Sequence, residues 1–303
     1  MKFTKMQGCG NDYVYVDGGS EKISQEKKSE LAKRVSDRHF GIGSDGLIFI
    51  NPVEDDDIDF EMEMYNADGS RSEMCGNGIR CVAKYVYDKG LTNKKKLTIV
   101  SAGKKKYIDL TVGADNKVES VKVDMGAPIL DAETVPVSVP EDKLTSSDKY
   151  QELKDKYGHL AVDVPITVDG KEWHMTCVSM GNPHAVVFLP EGMELATFDI
   201  EKIGPQFENH EYFPRRINTE FVTVDDNNNV HMRVWERGTG ETLACGTGCC
   251  ATAVACILNG HTDTSITIHV LGGDIKCSWD KTPSSSVIME GPATTVFDGE
   301  IEI

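Results

Sequence analysis

Two cysteines stand in the same sequence context, far apart in the chain. Cys75 is followed by Gly-Asn-Gly and Cys245 by Gly-Thr-Gly, so glycine occupies the first and third positions after each thiol. Two matched thiols suit a chemistry in which one group removes a proton from a carbon and the other delivers a proton to the opposite face. That chemistry is racemisation or epimerisation at a stereocentre.

The residues after each cysteine predict how its thiol is activated. Apolar side chains recur there with helical spacing, so Cys75 and Cys245 are each expected to begin a helix. Unpaired N–H groups and the positive end of the helix dipole favour thiolate, and cysteine pKa values at such positions fall to roughly 3.5–7.5. Because the same N–H groups can hold a carboxylate, one helix start can activate the base and bind an anionic substrate.

The proposed chemistry needs one thiolate and one thiol at the same time. Two thiolates about 7 Å apart, at an effective dielectric constant of about 20, repel by roughly 2.4 kcal/mol, which raises the second ionisation by about 1.7 pK units. We therefore predict two macroscopic ionisation steps and a bell-shaped dependence of rate on pH.

The sequence around the two cysteines repeats. Residues 60–78 align without a gap with residues 230–248, at an offset of 170 residues. A Gly-Asn pair ending at Asn11 recurs at Asn182, at an offset of 171. Since halves built alike usually pack about a pseudo-two-fold axis, we expect the two thiols to face each other across the junction.

Short alternating segments and one apolar helix per half predict the architecture. We expect an α+β fold of two pseudo-symmetric domains, each a curled, mostly antiparallel sheet around a central helix. The predicted domains are residues 1–122, joined by a returning strand at 291–303, and residues 123–290. The charged segment 140–159 is expected to be a surface helix or excursion between them.

Composition limits the class of protein and its partners. The 303-residue chain is 39% hydrophobic and 27% charged, as expected for a globular protein, and its net charge of −17 argues against nucleic-acid or anionic-membrane partners. It has no apolar run of the ~20 residues that cross a bilayer and no signal-peptide pattern, so we expect a cytoplasmic protein. An odd count of nine cysteines makes a disulfide framework unexpected.

Two further motifs admit other interpretations that the sequence does not favour. The glycines of segment 41–46 match a dinucleotide-binding spacing, but they precede a strand instead of following one. Cys249, Cys250 and Cys256 lie with Cys245 on one predicted helix, which cannot alone supply the tetrahedral geometry of a zinc site. Neither a nucleotide nor a metal is therefore expected.

Several motifs in a fixed order carry a resemblance to a known family. They are GCGNDYVYVD (8–17), YNADGSRSEMCGNGIRC (65–81), GNPHAVVF (181–188), RINTEFV (216–222) and ERGTGETLACGTGCCA (236–251). Nearly from end to end, the chain resembles the diaminopimelate epimerases. The resemblance implies cofactor-independent interconversion of LL- and meso-diaminopimelate, on the route to lysine and peptidoglycan precursors. It also implies two pseudo-symmetric domains with the site in their cleft, and usually a homodimer.

The resemblance also implies roles for individual residues. Cys75 and Cys245 match the acid/base thiols, and His184 with Glu236 matches the pair that supports catalysis. The expected substrate-binding residues are Asn11, Asn66, Gly76, Asn77, Asn182, Asn218, Glu236, Arg237, Gly246 and Thr247. Among these, Gly76, Asn77, Gly246 and Thr247 match the groups at the helix starts that hold the reacting carboxylate. One departure is visible, because Gly46 stands where many relatives carry a substrate-contacting glutamine.

Other functions stay open at this point. A proline or hydroxyproline racemase shares the Met-Cys-Gly signature but tends to follow it with histidine, whereas Asn77 and the Glu236-Arg237 pair favour a substrate with a second charged end. A non-catalytic amino-acid-binding module and a thiol redox sensor are alternatives from other classes. Exchange of the substrate α-proton with solvent deuterium separates them, because only an epimerase exchanges it.

Overall fold

The computed structural model describes residues 1–72 and 75–303. Glu73 and Met74, which belong to the first repeated motif, lie outside the described residues. The chain forms two compact units, the first comprising residues 1–124 and 290–303, and the second residues 125–289.

The elements alternate short strands with a few helices. Residues 1–124 form β1 (Lys2–Gly8), β2 (Asn11–Asp17), α1 (Gln25–Ser36), β3 (Gly46–Pro52), β4 (Phe60–Asn66), β5 (Arg71–Ser72), α2 (Gly76–Asp88), β6 (Lys96–Ser101), β7 (Lys104–Val112) and β8 (Val118–Asp124). The following residues form α3 (Glu141–Leu144), α4 (Asp148–Tyr157), β9 (Val164–Val168), β10 (Lys171–Ser179), β11 (Pro183–Phe188), α5 (Ile200–Glu208), β12 (Asn218–Val224), β13 (Asn229–Glu236), β14 (Gly240–Thr242), α6 (Gly246–Asn259), β15 (Ser265–Val270), β16 (Gly273–Ser278), β17 (Ile288–Gly291) and β18 (Thr294–Glu300).

The two units pair their strands in the same way. In the first unit, β1 pairs antiparallel with β2, β2 parallel with β3, β3 antiparallel with β4, β4 parallel with β6, and β6 antiparallel with β7. In the second unit, β10 to β13, β15 and β16 repeat this order of antiparallel and parallel pairings. An outer strand completes each series, β18 on β1 and β9 on β10. The predicted α+β fold of two pseudo-symmetric, mostly antiparallel halves is confirmed.

Each sheet has a helix on both faces. In the first unit, alternate residues of β2 explain this arrangement, since Val14 and Val16 pack with Leu31 and Val35 of α1 in one apolar cluster. The opposite face of the same sheet contacts α2, whose side chains Ile79, Val82, Ala83 and Val86 are fully buried. In the second unit, α5 and α6 take the corresponding positions in the chain.

The remaining cysteines of α6 belong to the core. Cys249, Cys250 and Cys256 have no exposed surface, as expected for small apolar side chains on a buried helix. Within residues 1–72 and 75–303, no cluster of three or more His, Cys, Asp or Glu side chains could hold a metal ion.

The polar segment 140–159 lies within the second unit and is largely helical, as α3 and α4. Ser147 begins α4 by accepting a hydrogen bond from the Tyr150 N–H at 3.0 Å, and most side chains of this helix are exposed or partly exposed. In the described part of the chain, every helix is too short or too polar to cross a bilayer.

Candidate active site

Cys75 is the N-cap residue of α2. Its backbone is extended (φ −135°, ψ 115°), and its Sγ atom accepts a hydrogen bond from the Gly78 N–H at 3.2 Å. The thiol also donates to the Asn11 side-chain oxygen at 3.1 Å. The prediction that this cysteine begins a helix is confirmed, and the half-buried sulfur contacts one of the predicted binding residues.

A carboxylate fixes the orientation of the Asn11 amide. Asn11 Nδ2 donates to Asp45 Oδ2 at 2.7 Å, and the other oxygen of Asp45 accepts from Arg38 at 2.9 Å. Because a carboxylate can only accept, the Asn11 carbonyl must face Cys75. Asp45 and Arg38 were not among the predicted site residues, and their polar turn gives no sign of this contact in the sequence.

Cys245 takes the same position on α6 but lies in different surroundings. Its Sγ atom accepts from the Gly248 N–H and also contacts Thr247 Oγ1, both at 3.4 Å. The residue is only 7% exposed. Burial, and then the Glu236 and Glu220 carboxylates, raise the pKa of Cys245 well above its usual range.

The sequence-based expectation of a lowered thiol pKa is therefore wrong for Cys245. Hydrogen bonds from Thr247 and Gly248 do favour the thiolate, as the helix start predicts. Removal of the thiol from water and the two nearby carboxylates oppose the negative charge more strongly. Burial and the two carboxylates therefore favour the thiol form of Cys245 over the thiolate.

Glu220 is a buried carboxylate that the sequence analysis missed. It and His184 both have no exposed surface, and His184 Nδ1 lies 2.7 Å from Glu220 Oε1. His184 Nε2 lies 3.1 Å from the side-chain oxygen of Asn182. Within the described residues, the second oxygen of Glu220 has no hydrogen-bond partner. A glutamate directly before Phe221 and Val222 in a predicted strand was the available signal, since burying a charge costs free energy unless the charge is paired.

Gly248 allows the helix start to approach this carboxylate. A Cβ atom at Gly248 would lie 2.6 Å from Glu220 Oε1. The equivalent glycine of α2, Gly78, instead faces Ile48, whose Cδ1 atom would lie 3.0 Å from such a Cβ. The start of α6 therefore packs against a carboxylate, whereas the start of α2 packs against an apolar side chain.

The end of β13 brings three predicted binding residues together. The Arg237 N–H donates to Asn218 Oδ1 at 2.9 Å, and Asn218 Nδ2 donates to the Pro183 carbonyl at 2.8 Å. Glu236 accepts from Thr242 Oγ1 at 2.6 Å, and burial raises the pKa of its carboxyl group. The negative charge of the Glu220 carboxylate raises the pKa of Glu236 further, whereas the hydrogen bond from Thr242 lowers it.

Glu208 of α5 holds the turn that carries Arg237. Its two oxygens accept from the Gly238 N–H at 2.8 Å and from Trp235 Nε1 at 2.7 Å, and Arg216 forms an ion pair with it at 2.7 Å. Glu208 was not among the predicted site residues, because it lies on α5, 27 residues before Trp235 and 30 before Gly238.

The other predicted residues of the first unit lie at the ends of its elements. Gly76 and Asn77 open α2, and Asn77 Nδ2 lies 3.5 Å from the Asn11 side-chain oxygen. Asn66 ends β4, bonds to Ser70 Oγ at 3.0 Å and is paired with Gly46. In the second unit, Gly246 and Thr247 open α6 in the same way.

Gly46 is closely packed. A Cβ atom there would lie 2.1 Å from the Tyr65 carbonyl oxygen and 3.0 Å from Cε1 of Tyr13. The glutamine of many relatives therefore does not fit at this position in the present backbone, and the ring of Tyr13 lies beside the glycine instead.

Gly46→Ala is expected to lower the free energy of unfolding by about 1–3 kcal/mol, because overpacking against fixed backbone cannot be relieved by a rotamer change. Chemical denaturation measures the loss. Gly113→Ala is the matched control, since its Cβ would meet the flexible end of Glu119, which can move away. Equal stability of the two variants would contradict the close packing at Gly46.

Comparisons with known proteins find relatives that match nearly the whole chain. The model of the diaminopimelate epimerase family matches residues 3–130 and 176–296. A diaminopimelate epimerase from Agathobacter rectalis is 54% identical over 303 residues, covering 100% of both chains. One from Methanococcus maripaludis is 51% identical, also covering 100% of both chains. Among solved structures, a phenazine biosynthesis protein from Bacillus anthracis shares the fold with a TM-score of 0.67 and 18% identity, covering 100% of this chain and 99% of its own.

Proposed function

Because the chain belongs to the diaminopimelate epimerase family, we propose that it interconverts LL- and meso-diaminopimelate with Cys75 and Cys245 as its two acid/base groups. The protein is an isomerase, and the reaction belongs to lysine and peptidoglycan precursor synthesis. The observation that carries the proposal is the matched pair of cysteines, each the N-cap of a central helix and each accepting a hydrogen bond from the helix's first turn.

We propose that the resting enzyme carries the proton on Cys245 and the negative charge on Cys75. Burial and the Glu236 and Glu220 carboxylates favour the thiol form of Cys245. The start of α2 supplies the Gly78 N–H as a donor to the Cys75 sulfur, which favours a negative charge there. The opposite assignment would place the negative charge beside two carboxylates, which Coulomb repulsion opposes.

In the proposed reaction, the reacting carbon loses one proton and gains one proton in each turnover. The Cys75 thiolate takes the α-proton from carbon, and the electron pair of the broken C–H bond moves into the adjacent carboxylate as an enediolate. The Cys245 thiol then gives its proton to the opposite face of that carbon, leaving Cys75 protonated and Cys245 as thiolate. The reverse reaction begins from this second state, so both directions use the same two groups.

The enediolate carries a second negative charge, which preorganised donors must stabilise. We propose that the N–H groups of Gly76 and Asn77 on α2 and of Gly246 and Thr247 on α6 bind the reacting carboxylate. First-turn N–H groups have no acceptor within their own helix, and the helix dipole adds to their effect. Donors aimed at developing charge in a site without bulk water are a large source of rate acceleration.

The second charged end of the substrate accounts for the other polar residues. The Arg237 guanidinium suits the distal carboxylate, since it can donate two parallel hydrogen bonds. Oxygens of Glu236 and of the amides suit the ammonium groups. The amides concerned are those of Asn11, Asn66, Asn182 and Asn218. Further parts of the proposal are that residues 1–122 with 291–303 and residues 123–290 are the two epimerase halves, and that the enzyme is a cytoplasmic homodimer.

Glu220→Gln tests whether the Glu220 carboxylate raises the pKa of Cys245. Cys245 must be a thiol to donate its proton, and it loses that proton only as the pH rises through its raised pKa. Removing one negative charge lowers that pKa, and we expect the alkaline limb of the kcat/KM profile to move about one unit toward lower pH. The other ionisable groups facing this cluster are Glu236, His184 and Cys177.

The acid limb of the same profile should not move. Glu172→Gln, which removes a carboxylate that is exposed on β10, is the control and should leave both limbs in place. An alkaline limb that stays at its wild-type pH in Glu220→Gln would show that Glu220 does not set the protonation of Cys245.

Turnover of candidate substrates tests the proposed function directly. LL-diaminopimelate, L-proline and L-glutamate are each incubated with the enzyme, and their stereoisomers are separated by chiral chromatography. Only diaminopimelate should be converted at an appreciable rate. Faster conversion of proline would assign the chain to the rival two-cysteine racemases, and conversion of none of the three would favour a binding or redox role.

A further inference from the structure

The face of β2 that meets α2 carries three polar side chains in a row. Asn11, Tyr13 and Tyr15 alternate with Val14 and Val16, which pack toward α1 on the other face. Asn11 contacts the Cys75 sulfur at 3.1 Å, and the Tyr15 hydroxyl lies 3.4 Å from the Gly78 carbonyl oxygen. Tyr13 lies between these two contacts and is therefore beside the start of α2.

Tyr13 also has a counterpart in the second unit. In the parallel pairing of β2 with β3, Tyr13 is opposite Gly46, and in the equivalent pairing of β11 with β12, His184 is opposite Asn218. Tyr13 follows Asn11 by two residues, as His184 follows Asn182. By strand register, Tyr13 occupies the position in the first half that His184 occupies in the second.

We propose that the Tyr13 phenol donates a hydrogen bond to the Cys75 sulfur and stabilises its thiolate form. This inference deepens the proposed function, on which it rests, by giving Cys75 a positioning residue of its own. The Asn11 carbonyl accepts from Cys75 when the sulfur carries a proton, and the Tyr13 O–H donates when it does not. The two neighbours thus serve the two protonation states through which the base must pass.

The surroundings of Tyr13 keep its hydroxyl a donor. The residue is 5% exposed, and its ring lies against Gly46, where no other side chain fits. Burial raises the pKa of the Tyr13 phenol well above its usual range, and the nearby Cys75 sulfur and Asp45 carboxylate raise it further. Asn11, which contacts the Cys75 sulfur at 3.1 Å, precedes Tyr13 by two residues on the same face of β2, so the phenol lies next to this sulfur. A phenol that keeps its proton throughout the working pH range cannot compete with Cys75 as a base.

Tyr13→Phe removes this donor and keeps the ring. The test measures the rate at which iodoacetamide alkylates Cys75 as a function of pH, by mass spectrometry of the Cys75 peptide, in a Cys245→Ser background. The midpoint is the pH at which the alkylation rate of Cys75 reaches half its maximum. Loss of one hydrogen bond to a charged sulfur should raise this pH by about one unit. At pH values below the midpoints of both proteins, the variant should therefore react about tenfold more slowly. The other groups that face Cys75 or Tyr13 are Asp45, Tyr15 and Cys81, and all are unchanged in the variant.

Tyr65→Phe is the matched control. It also removes a buried phenol hydroxyl, but one that contacts Glu63 at 2.7 Å and Gln25 at 2.6 Å on the α1 side of the sheet. Its alkylation midpoint should equal that of the parent protein. An unchanged midpoint in Tyr13→Phe would overturn the inference, as would an equal shift in both variants.

The readout does not depend on turnover, so it is independent of the proposed function. A raised midpoint in a protein that epimerises nothing would uphold the contact and reject the epimerase. If Tyr13→Phe does not fold, the wild-type protein labelled with [ζ-¹³C]tyrosine gives the second measurement. One tyrosine resonance should follow the Cys75 titration and lose that step in Cys75→Ser, and the absence of any such resonance would overturn the inference.

Discussion

Cys75→Ser and Cys245→Ser should each lower the rate of diaminopimelate epimerisation by about 10³- to 10⁴-fold, at the upper end of what a single acid or base contributes. A serine hydroxyl neither ionises near neutral pH nor gives up its proton as readily as a thiol. It can still accept the hydrogen bond that Gly78 or Gly248 donates to the sulfur, so the helix cap and the fold should survive. Chiral chromatography of the products measures the rate, and circular dichroism measures the folded fraction.

Cys256→Ala is the control for these two variants. Cys256 lies on α6 but deep in the core, and burial raises the pKa of its thiol to about 12, so it takes no part in proton transfer. Its loss should leave turnover near the wild-type rate. If either serine variant also turned over near that rate, the corresponding cysteine would be removed from the mechanism.

Arg237→Leu should have the second largest effect, a fall in kcat/KM for diaminopimelate of about 100-fold. The guanidinium is proposed to bind the distal carboxylate. A hydrogen bond to a charged group is worth roughly 1.5–3 kcal/mol, and a 100-fold fall corresponds to ~2.8 kcal/mol. Its backbone N–H is bonded to Asn218, and its guanidinium donates to the Arg215 carbonyl at 2.9 Å, so the side chain is oriented before substrate binds.

A substrate analogue gives this prediction its sharpest control. For a diamino acid that lacks the distal carboxylate, the wild type and Arg237→Leu should differ little, because the interaction is missing in both. Arg34→Leu, which removes an exposed arginine of α1, should leave both substrates unaffected. If Arg237→Leu lowered kcat/KM equally for the two substrates, Arg237 would not bind the distal carboxylate.

The elements and the cysteine positions were predictable because their causes are local. Helical spacing of Ile79, Val82 and Val86 sets the buried face of α2, and glycines allow the chain to start and stop there. Gly90 (φ 75°) and Gly260 (φ 76°) have left-handed backbone and lie just past the ends of the two cysteine helices, a local stop signal that glycine provides. Duplication of this pattern was enough to predict two halves of the same topology.

The electrostatic environment of the thiols was not predictable, because it depends on contacts distant in sequence. Glu220 reaches the start of α6 through the pairing of β11, β12 and β13. Burial, Glu236 and Glu220 together reverse the expected effect of the helix dipole on Cys245. Asp45 fixes the Asn11 amide across 34 positions of sequence. Local sequence shows that these carboxylates exist but gives no sign of what they face.

The two halves are alike in backbone and unlike in chemistry. Tyr13 and Ile48 stand in the first unit where His184 and Glu220 stand in the second, by the register of equivalent strands. A symmetric scaffold thus holds two cysteines in unequal surroundings. This inequality gives a physical reason for one sulfur to rest as thiol while its partner rests as thiolate.

The central claim is that two different sulfurs exchange protons with one carbon, and isotope placement during turnover tests it most directly. Unlabelled LL-diaminopimelate is converted in D₂O, and substrate and product are separated at early times and analysed by mass spectrometry. We expect deuterium at the inverted carbon of the meso product and none in the recovered LL substrate, because the proton removed and the deuteron delivered sit on different thiols. Deuterium appearing equally in recovered substrate and product would mean that a single group does both, and would rule out the two-thiol mechanism.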